Sequence, residues 1–270
     1  MGSIELLGLL LTVALVTGLI GFVRTVWFIS IGYAASMVLF TLTVGVVWAD
    51  KISLLVGAQL LAAAVWGTRL GSYLVARERN PSYQEAVKEQ TDRSQALSLV
   101  ARLGIWTSVS LLYVCMFAPV VFLAGAAALL TGRLVLVASI GVAVMWLGLI
   151  IETLADQQKS RLKAVNPNAF ASEGLYRWVR YPNYLGEILF WLGNFVAGIV
   201  AYAAWWHWLM ALIGIVCIVL IMLGSTKRME FKQDDRYGGD PKYDAYVRSV
   251  PVLLPWVPLY TLKNIRVYLE

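Results

Sequence analysis

Residues 134–154 read LVLVASIGVAVMWLGLIIETL, an unbroken apolar run whose one ionisable group, Glu152, stands near its end. A helix needs about 20 mostly apolar residues to cross a bilayer core of about 30 Å. A segment that is apolar on every side has no wet face to offer water. The stretch therefore predicts a transmembrane helix. Similar runs occur near 4–23, 25–48, 52–76, 104–124, 184–203 and 205–225. The chain has 270 residues, 60% hydrophobic and 14% charged, with a mean hydropathy of +0.72. Soluble domains are closer to half apolar and a quarter charged. The expected fold is an all-α integral membrane protein, one domain over 1–270 built as a bundle of about seven transmembrane helices. The first run carries only Glu5 and no preceding basic residue, and a second span follows at once. It is expected to remain as a helix and not to be cleaved as a signal peptide.

Charge sorts these helices. Arg24 follows the first span, and Arg77, Arg79, Lys88, Arg93 and Arg102 lie between the third and fourth. Lys159, Arg161, Lys163, Arg177 and Arg180 lie between the fifth and sixth, and eight more, from Lys227 to Arg266, follow the seventh. Only Lys51 and Arg133 fall on the opposite side, and Arg69 lies inside the third span. Basic loops mark the cytoplasmic side. The N-terminus is expected outside and the C-terminus in the cytoplasm, with an odd number of spans and a bacterial inner membrane as the location. Positive-inside loops and anionic lipid account for the net charge of +6 without a nucleic-acid partner.

Cys115 and Cys217 sit in apolar runs, which suggests neither a disulfide framework nor a cysteine metal site. The one histidine, His207, lies among Trp205, Trp206 and Trp208 and reads as part of an interfacial aromatic belt. Histidine catalysis and histidine metal binding are thereby excluded, and no metal is expected. Transporters tend to show internal repeats or broken mid-membrane helices. Here the ionisable groups gather at the inner helix ends, which predicts a site opening to the cytoplasm.

Four stretches carry the candidate chemistry. In the third span, Arg69 stands about two turns before the polar loop at Arg77. It either snorkels to the surface or points inward to hold a carboxylate or phosphate. Tyr73 shares its face, and Gln59 lies deeper near the same face. At the end of the fifth span, Glu152 and Asp156 are spaced i, i+4, with Lys159 and Lys163 following Asp156 at i+3 and i+7. That is either a charge-laced helix end or a nucleotide-binding face, acids for ribose or amide hydrogens and cations for phosphates. The third stretch, GLYRWVRYPNYLGE at 174–187, places Arg177 and Arg180 before Pro182. Pro182 suits a first helical turn, whose free N–H groups attract anions. Asn183 and Glu187 then point the same way, and Glu187 needs a cation or donor partner, for which Arg69 is one candidate. Capping alone is the plainer reading. The fourth, 226–270, holds Arg228, Glu230, Tyr243 and Tyr246 and ends in a proline-rich run. It reads as a cytoplasmic lid or in-plane helix closing the cofactor cavity.

At Arg180-Tyr181-Pro182-Asn183-Tyr184-Leu185-Gly186-Glu187 the chain resembles the steroid 5α-reductase superfamily, most closely its bacterial branch of multi-span membrane proteins. The likeness extends to Trp66-Gly67 with Arg69-Leu70-Gly71, to Asp156 through Lys163, and to Tyr243-x-x-Tyr246 with Val250-Pro251 and Leu254-Pro255-Trp256. It implies a seven-helix bundle that holds NADPH in a cavity opening to the cytosol and reduces the C=C of a conjugated enone lipid entering from the bilayer. On that resemblance Arg69, Asp156, Lys159, Lys163, Arg180, Asn183, Tyr184, Arg228 and Tyr246 are the cofactor-binding candidates. Tyr73, Gln59 and Glu187 are the catalytic candidates, with Glu187 bracing the site. Two departures stand out. Tyr181 occupies the family's histidine position, and the second span lacks the Gln-Glu pair of the steroid reductases, so Gln59 and Tyr73 are substitutes. The Arg-x-Pro-x-Tyr-x-Gly core is also similar to the isoprenylcysteine carboxyl methyltransferases, which use S-adenosylmethionine. There the closing Arg is followed by paired glutamates, whereas here Phe231 follows Glu230. A non-catalytic membrane protein with a degenerate site is the third reading.

Overall fold

The computed structural model describes residues 1–79 and 96–266, so Lys88 and Arg93 of the basic loop lie outside the described residues. Each apolar run becomes a helix because a chain in lipid must satisfy its own backbone polar groups. In order, these are α1 (Ser3–Gly18), α2 (Ile31–Val47), α3 (Leu54–Glu78), α4 (Leu99–Ala126), α5 (Arg133–Val165), α6 (Pro182–Gly198) and α7 (Trp205–Tyr237). A short α8 (Pro241–Ser249) follows, and no strand occurs among the described residues. With their flanking 3₁₀ turns, α1 to α7 give seven segments long and apolar enough to cross a membrane. The protein is thus an all-helical integral membrane protein. Ser53 and Ser98 start α3 and α4 by accepting from Val56 N and Ala101 N, and Asp240 with Pro241 starts α8.

Two helices outrun their apolar stretches, α5 as its charge spacing through Lys163 implies and α7 beyond expectation. The fifth and seventh apolar runs ended near 154 and 225, but α5 continues to Val165 and α7 to Tyr237. At 1.5 Å per residue each 33-residue helix is about 50 Å long against a core of about 30 Å. Hydropathy ends where lipid ends. The helix goes on because its polar extension still packs. Residues 226–237, expected to open the C-terminal segment, are therefore the end of α7.

The chain divides into two compact units. The first comprises Met1–Val142 and Asn194–Gly214, the second Ala143–Gly193 and Ile215–Glu270. In the first, α1 to α4 pack around buried Phe28, Phe40, Trp66 and Phe117. Tyr33 stacks on Tyr113 and meets Trp66 edge-on, each with ring centroids 5.0 Å apart, and the Tyr113 hydroxyl donates to Phe28 O at 2.7 Å. On the basic side, Arg24 pairs with Glu78 at 2.6 Å and Arg102 donates to Phe22 O.

The second unit is organised by a glycine contact. A Cβ on Gly148 of α5 would lie 2.4 Å from Phe190 N and 2.5 Å from Gly186 O. A Cβ on Gly186 of α6 would lie 2.6 Å from Glu152 N. The two backbones touch, so neither glycine can carry a side chain. The pairing of 148 with 190 and of 152 with 186 makes the helices antiparallel.

Candidate functional site

The glycine crossing brings polar residues together. Glu152 and Glu187 flank it, both buried. One turn towards the basic side, the antiparallel register brings Asp156 level with Pro182 and Asn183. α6 begins at Pro182, as expected, and the preceding turn is fastened to α5. Leu175 N donates to Gln158 Oε1 at 2.9 Å, and Tyr176 Oη donates to Ala155 O at 3.3 Å. Gly174 has φ +62° there and sits against the Gln158 side chain, a conformation and a space that both suit glycine. Asp156, Lys159, Asn183 and Tyr184 are all half-buried around this mouth.

Just before α6 lies an ion pair. Arg180 and Glu230 are 2% and 0% exposed, with Nη2 2.7 Å from Oε1. The other carboxylate oxygen accepts from Leu262 N at 2.7 Å, and the same guanidinium donates to Tyr260 O. Backbone bonds run alongside: Arg180 N to Pro251 O at 2.9 Å, Tyr181 N to Val252 O at 3.1 Å, and Val252 N to Leu259 O at 2.9 Å. Val179, Tyr181, Leu185, Val252, Leu253 and Leu262 close a small apolar core around these bonds. The pair thus straps residues 250–263 against the start of α6.

Tyrosines surround this strap. Tyr181 donates to Gln233 Oε1 at 3.3 Å and stacks with Tyr184, ring centroids 5.9 Å apart. Tyr243 donates to Asp234 Oδ1 at 2.8 Å, and Tyr246 to Tyr176 O at 2.7 Å. Burial raises the pKa of all three, with Arg180 pulling the other way; Tyr243 is pushed up to about 12. They remain protonated donors at neutral pH.

Several expected site residues have other duties here. Lys163 Nζ donates to Pro167 O at 3.0 Å, Ala169 O at 2.7 Å and Tyr237 Oη at 2.6 Å. Its three protons close the turn after α5, so none is left for a phosphate. Arg180 Nη2 bonds within the strap, while its buried Nε and Nη1 have no hydrogen-bond partner among the described residues; the Tyr246 hydroxyl donates to a backbone carbonyl. Arg228 is exposed and bonds Ser225 Oγ at 3.0 Å. Two residues from Glu230, it points away from the face that Glu230 uses. Lys227, half-buried, stands three residues before Glu230 on α7.

Arg69, Gln59 and Tyr73 belong to the first unit. Arg69 lines an open groove of about 390 Å³ with Ala64, Val65 and Thr68. Tyr73 is exposed, with the Arg77 guanidinium 5.8 Å from its ring centroid. Gln59 is fully buried and donates to Asn194 Oδ1 at 2.7 Å, while Asn194 donates to Met116 O at 2.8 Å. Gln59 and Tyr73 are fourteen residues apart on one continuous helix, about 21 Å along its axis. They cannot serve the same reacting atom, and Gln59 leaves the catalytic set. Asn194 went unnoticed because its partner is 135 positions away. Among the described residues, no cluster of potential metal ligands occurs.

No solved structure matches the chain. A stretch of 127 residues is 30% identical to an uncharacterised protein of Schizosaccharomyces pombe, covering 39% of this chain and 35% of that protein, so the match spans about a third of the relative's length. Residues 10–250, nearly the whole membrane region including the glycine crossing and the Arg180–Glu230 pair, match one family description, and the chain belongs to that family, the proteins of unknown function designated DUF1295.

Proposed function

We propose that the protein is a membrane-embedded, NADPH-dependent reductase of the steroid 5α-reductase type, acting on the C=C of a conjugated enone lipid, steroid-like or polyprenoid, from the cytoplasmic side of a bacterial inner membrane. The observation that carries the reading is the set of groups at the α5–α6 crossing. Asp156, Lys159 and Asn183 are half-buried within one polar mouth, above two buried carboxylates. The motif that carries the resemblance begins α6 at that mouth, and the family includes steroid 5α-reductase-like proteins.

The donor set fits a dinucleotide. Asp156 accepts ribose hydroxyls, the Asn183 amide gives and takes one hydrogen bond, and Lys159 meets phosphate charge. When bound, NADPH supplies a hydride equivalent. The protein contributes orientation and a water-poor surrounding, in which a donor aimed at developing enolate charge is most effective. Glu187, buried four residues after Asn183, holds that end of α6 in register. Tyr73 is the proposed donor to the substrate carbonyl. The plainer alternative, a methyltransferase using S-adenosylmethionine, draws support from the Arg180–Glu230 bond, which joins the two motif elements shared with that family.

Thermal stabilisation of the detergent-solubilised protein by NADPH, NADH and S-adenosylmethionine separates these readings. A ligand at 100 times its dissociation constant adds about 2.7 kcal/mol. NADPH is expected to stabilise and the methyl donor to do nothing; the reverse pattern would discard the reductase. Tyr73→Phe is expected to lower turnover while leaving NADPH affinity intact, and normal turnover would remove Tyr73 from the reaction.

A further inference from the structure

Two tryptophans on the second unit stand in the open. Trp178 is 57% and Trp256 87% exposed, and their rings meet edge-to-face with centroids 6.2 Å apart. Leu254, Val257 and Tyr260 are exposed beside Trp256 in the chain. The segment has two distinct sides. Val252, Leu253 and Leu262 are buried against the start of α6, and the backbone bonds from Arg180 and Tyr181 fix it there. Its other side presents apolar rings outward. Trp256 is also the non-glycine residue with positive φ, +62°, among the described residues. A bulky side chain rarely holds that conformation, and here it turns the indole away from the core.

Position and charge identify what this face meets. Trp178 stands four residues before Pro182, where the sixth membrane segment begins, so the pair lies at the depth of the bilayer surface. From Ala245 to Arg266 the sequence contains no acid but holds Arg248, Lys263 and Arg266, and Arg177 adjoins Trp178. Arg177, Arg248 and Arg266 are exposed. Tryptophan favours the membrane–water interface, and anionic headgroups attract basic residues beside it. We infer that residues 254–260 together with Trp178 form an interfacial anchor that lies among the anionic headgroups of the leaflet on the basic side. A second copy of the chain is disfavoured on the same ground, because its patch would bring like charges together. The anchor stands independently of the proposed reaction.

The test places an environment-sensitive fluorophore on Trp256→Cys in a full-length Cys115→Ser/Cys217→Ser background. The protein is reconstituted in vesicles of phosphatidylcholine with or without phosphatidylglycerol. Val257→Cys supplies a second label position should the first variant fold poorly, and a label on Lys242→Cys of α8 serves as the solvated reference. The expected result is blue-shifted emission at 256 or 257. Spin-labelled lipid should quench it more strongly with the spin near the headgroup than deep in the acyl chain, and more strongly with phosphatidylglycerol present. Emission like that of the reference, accessible to aqueous iodide, would overturn the anchor. Equal quenching with and without phosphatidylglycerol would overturn the anionic-lipid assignment. A blue shift that follows protein density and ignores the spin-labelled lipids would give the patch to a second copy.

Discussion

Glu230→Ala tests the strap directly. The substitution removes the carboxylate from a guanidinium that is 2% exposed and cannot lose its proton, and it takes the acceptor from Leu262 N. Removing one member of a buried pair costs about 3–5 kcal/mol, because the remaining charge stays buried and uncompensated. Neither side chain has enough solvent access to soften that cost, with exposures of 1% and 0%. The loss falls on the segment the pair holds. Its amides exchange with solvent through local opening. At 1.4 kcal/mol per decade, exchange across 251–263 should accelerate between about a hundredfold and a few thousandfold. Hydrogen–deuterium exchange in detergent, read by mass spectrometry, resolves this segment from α1 to α4, whose exchange should not change.

A companion variant tests the cause. Arg180→Met with Glu230→Leu removes both charges and fills the space with apolar atoms, a replacement that is often neutral. It leaves Tyr260 O without the guanidinium and Leu262 N without its acceptor, at about 1 kcal/mol each. Exchange should therefore stay within about thirtyfold of the parent. Acceleration below tenfold in Glu230→Ala, or a double variant that opens as readily as the single one, would refute the assignment of the pair as the fastening of the strap.

Other outcomes follow from the same contacts. Gly186→Ala drives a methyl into the α5 backbone, 2.6 Å from Glu152 N, and overpacking costs of about 1–3 kcal/mol should lower the melting temperature. Gly45→Ala, with open space around it, should gain up to about 1 kcal/mol; equal melting temperatures for the two variants would contradict the crossing. Gln59→Leu and Asn194→Leu should each cost about 1–3 kcal/mol by stranding the other amide, with the double variant nearer the parent; additive losses in thermal denaturation would contradict the pairing. Asn183→Ala should weaken NADPH affinity at unchanged melting temperature, whereas Lys163→Ala should lower the melting temperature because it opens the turn after α5; calorimetric binding beside thermal denaturation distinguishes them. For Tyr243, burial raises the folded-state pKa from 10.0 to about 12, so its stabilisation is intact below pH 10 and is lost as pH rises through 12. Tyr243→Phe should flatten the fall in melting temperature over that range, and an unchanged slope would argue against it.

The membrane helices were legible because their signal is local. Twenty apolar residues in a row mean the same thing wherever they occur, and the start of α6 at Pro182 was readable from one residue type. The extension of α7 was not, because hydropathy reports contact with lipid, and a helix that leaves lipid can be continued by partners elsewhere. Lys163 and Tyr237 show this: each lies in a polar stretch, and their bond joins residues 74 positions apart.

The candidate site divides along the same line. Asp156 and Asn183 were found because i, i+4 spacing and a helix start announce themselves in sequence, and the Gly148–Gly186 contact brings their helices into one register. Arg180 was found as a cation, but its protein partner was not. A cation before a helix start suggests an anion from solution, and nothing local reveals that Glu230, fifty residues later, has already taken that place. One carboxylate accepts from both Arg180 and Leu262 N. The Arg180–Glu230 pair holds the strap against the start of α6, and a bond between residues so far apart in sequence leaves no local trace of that fastening.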